Sequence, residues 1–134
     1  MIYIIVATHG NLGTSLVDTA LTVLGGDEIL TAVGLTTSAS FTEFESSLSS
    51  AVKSHASKGR VLILTDMFGG TPSRIGMTLH ETGKVEVVTG VSLPMLLKAL
   101  QLSESDEDLI EIAQKVRKAG ERGISVASEI LGGI

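Results

Sequence analysis

Three continuous apolar runs, Ile2 to Ala7, Ile29 to Leu35 and Arg60 to Thr65, constrain the fold more than any other feature of the chain. Runs this unbroken read as strands buried on both faces, the situation in a parallel sheet covered by helices. A fourth strand is expected over Lys84 to Thr89. Helical patterns fill the gaps. Leu12, Leu16, Ala20 and Leu24 recur every four residues, broadened by Val17, Leu21 and Val23, and Gly25-Gly26 supplies a stop. After a polar loop at 36–39, Ser40-Phe41-Thr42-Glu43 has capping-box spacing, with Phe41, Phe44, Leu48, Ala51 and Val52 following before Gly59. A short helix runs from Thr71 as N-cap, with Pro72 at its first position, to about His80. Thr82-Gly83 turns the chain into the fourth strand. Ser92 caps the next helix, with Pro94 in its first turn and Met95, Leu96, Leu97 and Leu100 inward.

The acidic run Ser103 to Asp108 reads as a helix start rather than a metal site: Ser105 as cap, then Asp106, Glu107 and Asp108 at the positive dipole end. Lys115, Arg117 and Lys118 near Gly120 suit the other end. Ile124 to Leu131 alternates apolar and polar residues, the pattern of a half-buried strand at the sheet edge of its own chain or of a second subunit. The order βαβαβαβαα implies an α/β fold with an open, mostly parallel sheet, helices on both faces and right-handed crossovers. The C-terminal strand is expected antiparallel at the edge.

Length and composition set the remaining bounds. The 134 residues fit one domain, 1–134, large enough to bury a core. A net charge of −5 argues against nucleic acid as a partner, and the absence of cysteine removes disulfides, Cys-ligated zinc and thiol catalysis. No basic region precedes the first apolar run, and no stretch reaches the ~20 residues that span a bilayer, so a cytoplasmic protein without membrane insertion is expected.

Chemistry concentrates at two strand ends. The first strand delivers Thr8-His9-Gly10, and the third delivers Asp66 ahead of Gly69-Gly70-Thr71-Pro72-Ser73. If these strands are neighbours, Asp66 can accept from one ring nitrogen of His9, fix the tautomer and leave the other nitrogen nucleophilic. Helix N-termini at Leu12 and Thr71-Pro72 would aim N–H groups into the same cleft, and Gly10, Gly69 and Gly70 let backbone approach an anion closely. Asp66 has a second possible role, as cap of the Gly-Gly turn. His55 and His80 read as surface or helix-terminal residues. Arg74 either contacts phosphate or faces solvent. No Walker loop, dinucleotide fingerprint or second histidine beside His9 is present. On residues alone, a phosphoryl carrier, an anion-binding module and a hydrolase all stay open.

Three stretches in order, Ile5 to Gly10, Leu64 to Ser73 and Val88 to Leu96, closely resemble the mannose-type enzyme IIA of the bacterial phosphoenolpyruvate-dependent sugar phosphotransferase system. The resemblance covers nearly the whole chain. It implies a cytoplasmic phosphocarrier on an open α/β sheet, forming homodimers in which the C-terminal strand crosses to the partner. His9 matches the phosphorylated histidine and Asp66 the aspartate bonded to it. Gly69, Gly70, Thr71 and Ser73 match the segment lining the phosphoryl site, beside Gly10. His9 would then accept a phosphoryl group from the histidine-containing phosphocarrier protein and pass it to a histidine of a IIB component. With Asp66 on Nδ1–H, the attacking nitrogen is Nε2, and no metal, nucleotide or other cofactor is required.

The sequence ends at Ile134 without an Ala/Pro-rich linker or fused IIB domain, which implies a separate IIB acceptor; Asn11 and Gly13 are smaller than the residues some members carry at the cleft rim. A regulatory module reporting phosphotransferase flux without transporting sugar needs the same active site and is the alternative reading. A hydrolase or binding protein is the weaker third, because no general acid or metal cluster is visible. Sugar specificity is implied to belong to the membrane components and the IIB partner.

Overall fold

The computed structural model describes residues 1–38 and 40–132. In chain order its elements are β1 (Ile2–His9), α1 (Leu12–Leu24), a 3-10 turn (Asp27–Ile29), β2 (Leu30–Leu35), α2 (Phe41–Ala56), β3 (Arg60–Thr65), α3 (Thr71–Thr78), β4 (Val85–Thr89), α4 (Leu93–Gln101), α5 (Leu109–Arg122) and α6 (Ala127–Ile130). The strands form one parallel sheet in the order β2-β1-β3-β4. The expected α/β class holds. The chain adds β2 on one side of β1 and then crosses to add β3 on the other. The C-terminal ends of β1 and β3 therefore flank the switch point, where open α/β sheets bind ligands.

Both faces of the sheet are covered, as the unbroken apolar runs require. Ile2, Ile4, Val6, Leu62 and Leu64 point to one side, against Val17 and Ala20 of α1, Leu96 of α4 and Ile112 and Val116 of α5. Ile5, Ala7, Val61, Ile63 and Val85 point to the other, against Phe44, Leu48 and Val52 of α2 and Ile75 of α3. Alternate residues of one strand thus belong to separate cores. Truncating a wholly buried side chain such as Leu48 in either core costs about 2–5 kcal/mol.

Local signals hold where they rest on caps. Ser40 accepts from Glu43 N–H at 3.0 Å and Ser92 from Met95 N–H at 3.4 Å, opening α2 and α4 as expected. Four expectations need correction. The N-cap of α3 is Gly70, with Thr71 already helical and Pro72 in the first turn. The inward face of α1 is rotated: Gly13, Val17 and Ala20 are buried, while Leu12 and Leu24 are exposed. Close docking explains it, since a Cβ on Gly13 would stand 3.0 Å from Val6 O.

The acidic run does not start a helix at Ser105. α5 begins at Leu109, because the Arg60 guanidinium takes the carbonyls of Ser105 and Glu107, each at 2.7 Å, and holds that stretch irregular. Finally, the segment Ile124–Leu131 is not an edge strand of its own chain. Ala127–Ile130 form one helical turn, with Ile124 81% and Leu131 82% exposed. Among the described residues, the sheet consists of β1 to β4 alone, and the segment is not hydrogen-bonded into it.

Candidate functional site

The register of β1 on β3 pairs Ala7 with Thr65, so His9 and Asp66 emerge from adjacent strands at the switch point. Asp66 Oδ2 accepts twice from one residue: from the His9 main-chain N–H at 2.9 Å and at the His9 ring Nδ1 at 2.8 Å. Asp66 Oδ1 accepts from Met67 N–H at 3.0 Å. An ionised carboxylate offers only acceptors, so in the neutral imidazole the proton sits on Nδ1 and Nε2 keeps its lone pair. Asp66 is the more buried partner: its side chain is 11% exposed and that of His9 is 47% exposed.

The turn that presents His9 is fixed from below. Thr8, wholly buried, accepts from Gly13 N–H at 2.8 Å, satisfying an amide in the first turn of α1 that the helix itself leaves unpaired. Gly10 adopts φ 55° and donates its N–H to Leu35 O at 2.8 Å, extending the β1–β2 ladder past the strand. On the other side of the cleft the 66–70 loop runs against the ring. A Cβ on Gly70 would stand 2.8 Å from His9 Cε1 and 3.5 Å from Nε2, so a residue without one is required there.

The expected cradle residues divide. Gly69, Gly70 and Thr71 come together at the N-terminus of α3 beside the ring, where the first-turn amides lack intrahelical acceptors. Gly10 supplies shape, but its amide is committed to Leu35. The hydroxyl of Ser73 is buried between Thr65 Oγ1, at 2.6 Å, and the carbonyl of Met67, to which it donates, so it ties the loop to β3.

Three features were not anticipated. Thr8 acts as the remote cap of α1; a hydroxyl one residue before the strand end was the available signal. Leu12, Met67 and Phe68, the last 74% exposed, are exposed apolar side chains on the segments that follow β1 and β3. His55 is also less superficial than expected. Its ring stacks on Tyr3 at 4.8 Å, and Nε2 lies 3.2 Å from Thr31 Oγ1. Nδ1 is buried with no partner, and burial first, then Lys58, holds its pKa below the ordinary value. His80 lies 3.5 Å from Glu86 at the helix end, as a terminal residue would. Among the described residues, no three or more His, Asp or Glu side chains converge as metal ligands, and no helix is long and apolar enough to cross a membrane.

Known proteins match this geometry along most of the chain. The family described as "PTS system fructose IIA component" matches residues 3–117. The fructose-specific EIIA component of Bacillus subtilis is 27% identical over 132 residues, covering 98% of this chain and 90% of the relative. The mannose-specific EIIAB component of Escherichia coli K12 is 28% identical over 125 residues; the match covers 92% of this chain but 38% of that longer protein. Among solved structures, EIIA from Streptococcus agalactiae superposes with a TM-score of 0.85 at 26% identity, covering 96% of this chain and 99% of that one. The PTS IIA protein associated with the fucose utilization operon of Streptococcus pneumoniae gives 0.84 at 25%, covering 97% and 96%. The chain belongs to the fructose/mannose family of IIA components, the phosphotransferases of the sugar phosphotransferase system.

Proposed function

We propose that His9 is the phosphoryl acceptor of a phosphohistidine carrier, charged by the histidine-containing phosphocarrier protein and discharged to a IIB component for carbohydrate uptake in the cytoplasm. One observation carries this reading: Asp66 Oδ2 holds Nδ1 at 2.8 Å, while no hydrogen bond among the described residues engages Nε2. In the charging step the Nε2 lone pair attacks the donor's phosphorus in line. The donor N–P bond breaks, its electron pair returns to the donor imidazole, and a new N–P bond forms on His9. The Nδ1 proton stays between the ring and Asp66, so no general acid is called for. Positioning and charge neutralisation carry the catalysis.

A protein donor suits the surroundings. His9 stands half-exposed at the C-terminal end of the sheet, where the segments after β1 and β3 also expose Leu12, Met67 and Phe68, and a cavity of about 460 Å³ lies instead at the other end, lined by Arg60, His80, Glu86 and Asp108. Gly69, Gly70, Thr71 and the Ser73 amide are the proposed phosphoryl-binding groups. Incubation with phosphoenolpyruvate, enzyme I and the phosphocarrier protein should place acid-labile label on the wild type and none on His9→Ala; label retained by that variant overturns the assignment.

A homodimer completes the reading, with residues 1–134 acting as one domain per subunit. β4 is a free sheet edge, and a groove of about 270 Å³ along it is lined by Met77, Val87, Val88, Ile110 and Ala113. The exposed Ile124, Val126, Ile130 and Leu131 supply apolar side chains for a partner's groove of this kind. Truncation after Gly123 should shift sedimentation toward monomer; a truncated protein that stays dimeric counts against the exchange.

A further inference from the structure

Arg74 breaks a local rule that other helices of this chain keep. It lies in the first turn of α3, where aligned peptide dipoles and unpaired N–H groups already concentrate positive charge. Carboxylates suit that position, as Glu43 in α2 and Glu111 in α5 illustrate; α3, like α1 and α4, has none there, and it alone of these helices carries a cation instead. Ion pairs among the described residues involve His9, His80, Lys115 and Arg117, and none includes Arg74. The nearest carboxylate in sequence, Asp66, is committed to His9 and Met67.

The direction of the side chain is equally informative. Helical side chains lean toward the N-terminus of their helix. Arg74 does so, donating from Nη2 to Thr71 Oγ1 at 3.2 Å. Thr71 directly follows Gly70, whose Cα backs the His9 ring. An exposed guanidinium with no ion-pair partner among the described residues is thus tethered to Thr71, the residue next to the Gly70 that backs the His9 ring. Local conflict of this kind is expected where function demands it.

We propose that Arg74 grips the phosphoryl group on His9 Nε2, donating to its oxygens through the planar fork that suits phosphate. The inference rests on the phosphocarrier reading and adds to it a residue that touches the reacting group. Arg74 exchanges no proton in the transfer. The N–P bond changes are those already described, and the guanidinium neutralises charge on the phosphoryl oxygens, stabilising the loaded protein relative to the loaded donor.

The test uses the full chain with phosphoenolpyruvate, enzyme I and the phosphocarrier protein, and reads by phosphorus NMR the equilibrium ratio of phosphorylated chain to phosphorylated donor. Arg74→Ala should move that ratio about tenfold toward the donor, and Arg74→Lys should recover part of the shift, since it restores charge without the fork. The Arg74 Nε–H resonance should also move when the wild type is phosphorylated. A wild-type ratio in Arg74→Ala with an unmoved resonance overturns the inference, even if the variant melts earlier through loss of the Thr71 tether. A wild type that takes up no phosphoryl group removes the phosphocarrier reading itself, and this inference with it.

Discussion

His9 and His55 are the same side chain in opposite settings. Each has one ring nitrogen beside a polar partner: Nδ1 of His9 is 2.8 Å from Asp66, and Nε2 of His55 is 3.2 Å from the Thr31 hydroxyl. Their other nitrogens diverge. Nε2 of His9 faces an open cleft above Gly70, whereas Nδ1 of His55 is buried without a partner in a ring stacked on Tyr3. A carboxylate behind and space in front make an imidazole a nucleophile. A hydroxyl and an aromatic wall make it a packing element whose charged form is disfavoured.

The widest separation between them is expected on deletion. His9→Ala should abolish phosphoryl uptake, while His55→Ala should leave uptake intact and lower the melting temperature; equal loss of uptake in both would erase the distinction. Next in size is Gly70→Ala, whose Cβ would meet the His9 ring at 2.8 Å. Displacing the nucleophile by a fraction of an ångström should slow phosphorylation by roughly 10- to 100-fold, measured by rapid quench, with the fold retained in circular dichroism. Asp66→Asn should slow it by about tenfold or more, because an amide cannot accept from His9 and Met67 on both its atoms. Unchanged kinetics would remove the orienting role.

The smallest effect belongs to His55. Its folded pKa lies below the ordinary 6.5, so the unfolded chain takes up a proton first. The stability it contributes is whole above pH 6.5 and declines as pH falls from there toward the folded value. Thermal melts across that interval should show a steeper acid-side decline in wild type than in His55→Gln, and parallel declines would show that the unpartnered nitrogen does not resist protonation.

These two histidines also mark how far the sequence was legible. His9 and Asp66 could be paired from the chain alone because both terminate apolar runs, and neighbouring parallel strands bring such ends together. The environment of His55 could not, since its aromatic wall is Tyr3, far away in sequence and brought close only by the sheet. The acidic run misled for the same reason: its dipole pattern was genuine, but Arg60 captures the carbonyls of Ser105 and Glu107. The alternation of Ile124 to Leu131 described a strand, whereas Ala127–Ile130 close into a helical turn outside the sheet. Ser73 stands in the first turn of α3 with its hydroxyl turned inward to Thr65 and Met67, a choice set by packing rather than by motif.

The turn bearing His9 is pinned on three sides, by Gly10 to Leu35, by Gly13 to Thr8 and by His9 itself to Asp66. If His9 is the nucleophile proposed above, it has little to rearrange when a partner arrives. Encounter should therefore resemble rigid-body docking, with its rate governed by diffusion, orientation and ionic strength rather than by a closing loop. A carrier that must engage one protein to load and another to unload gains from that arrangement, because release is as unobstructed as approach and traffic in either direction follows the supply of phosphoryl groups.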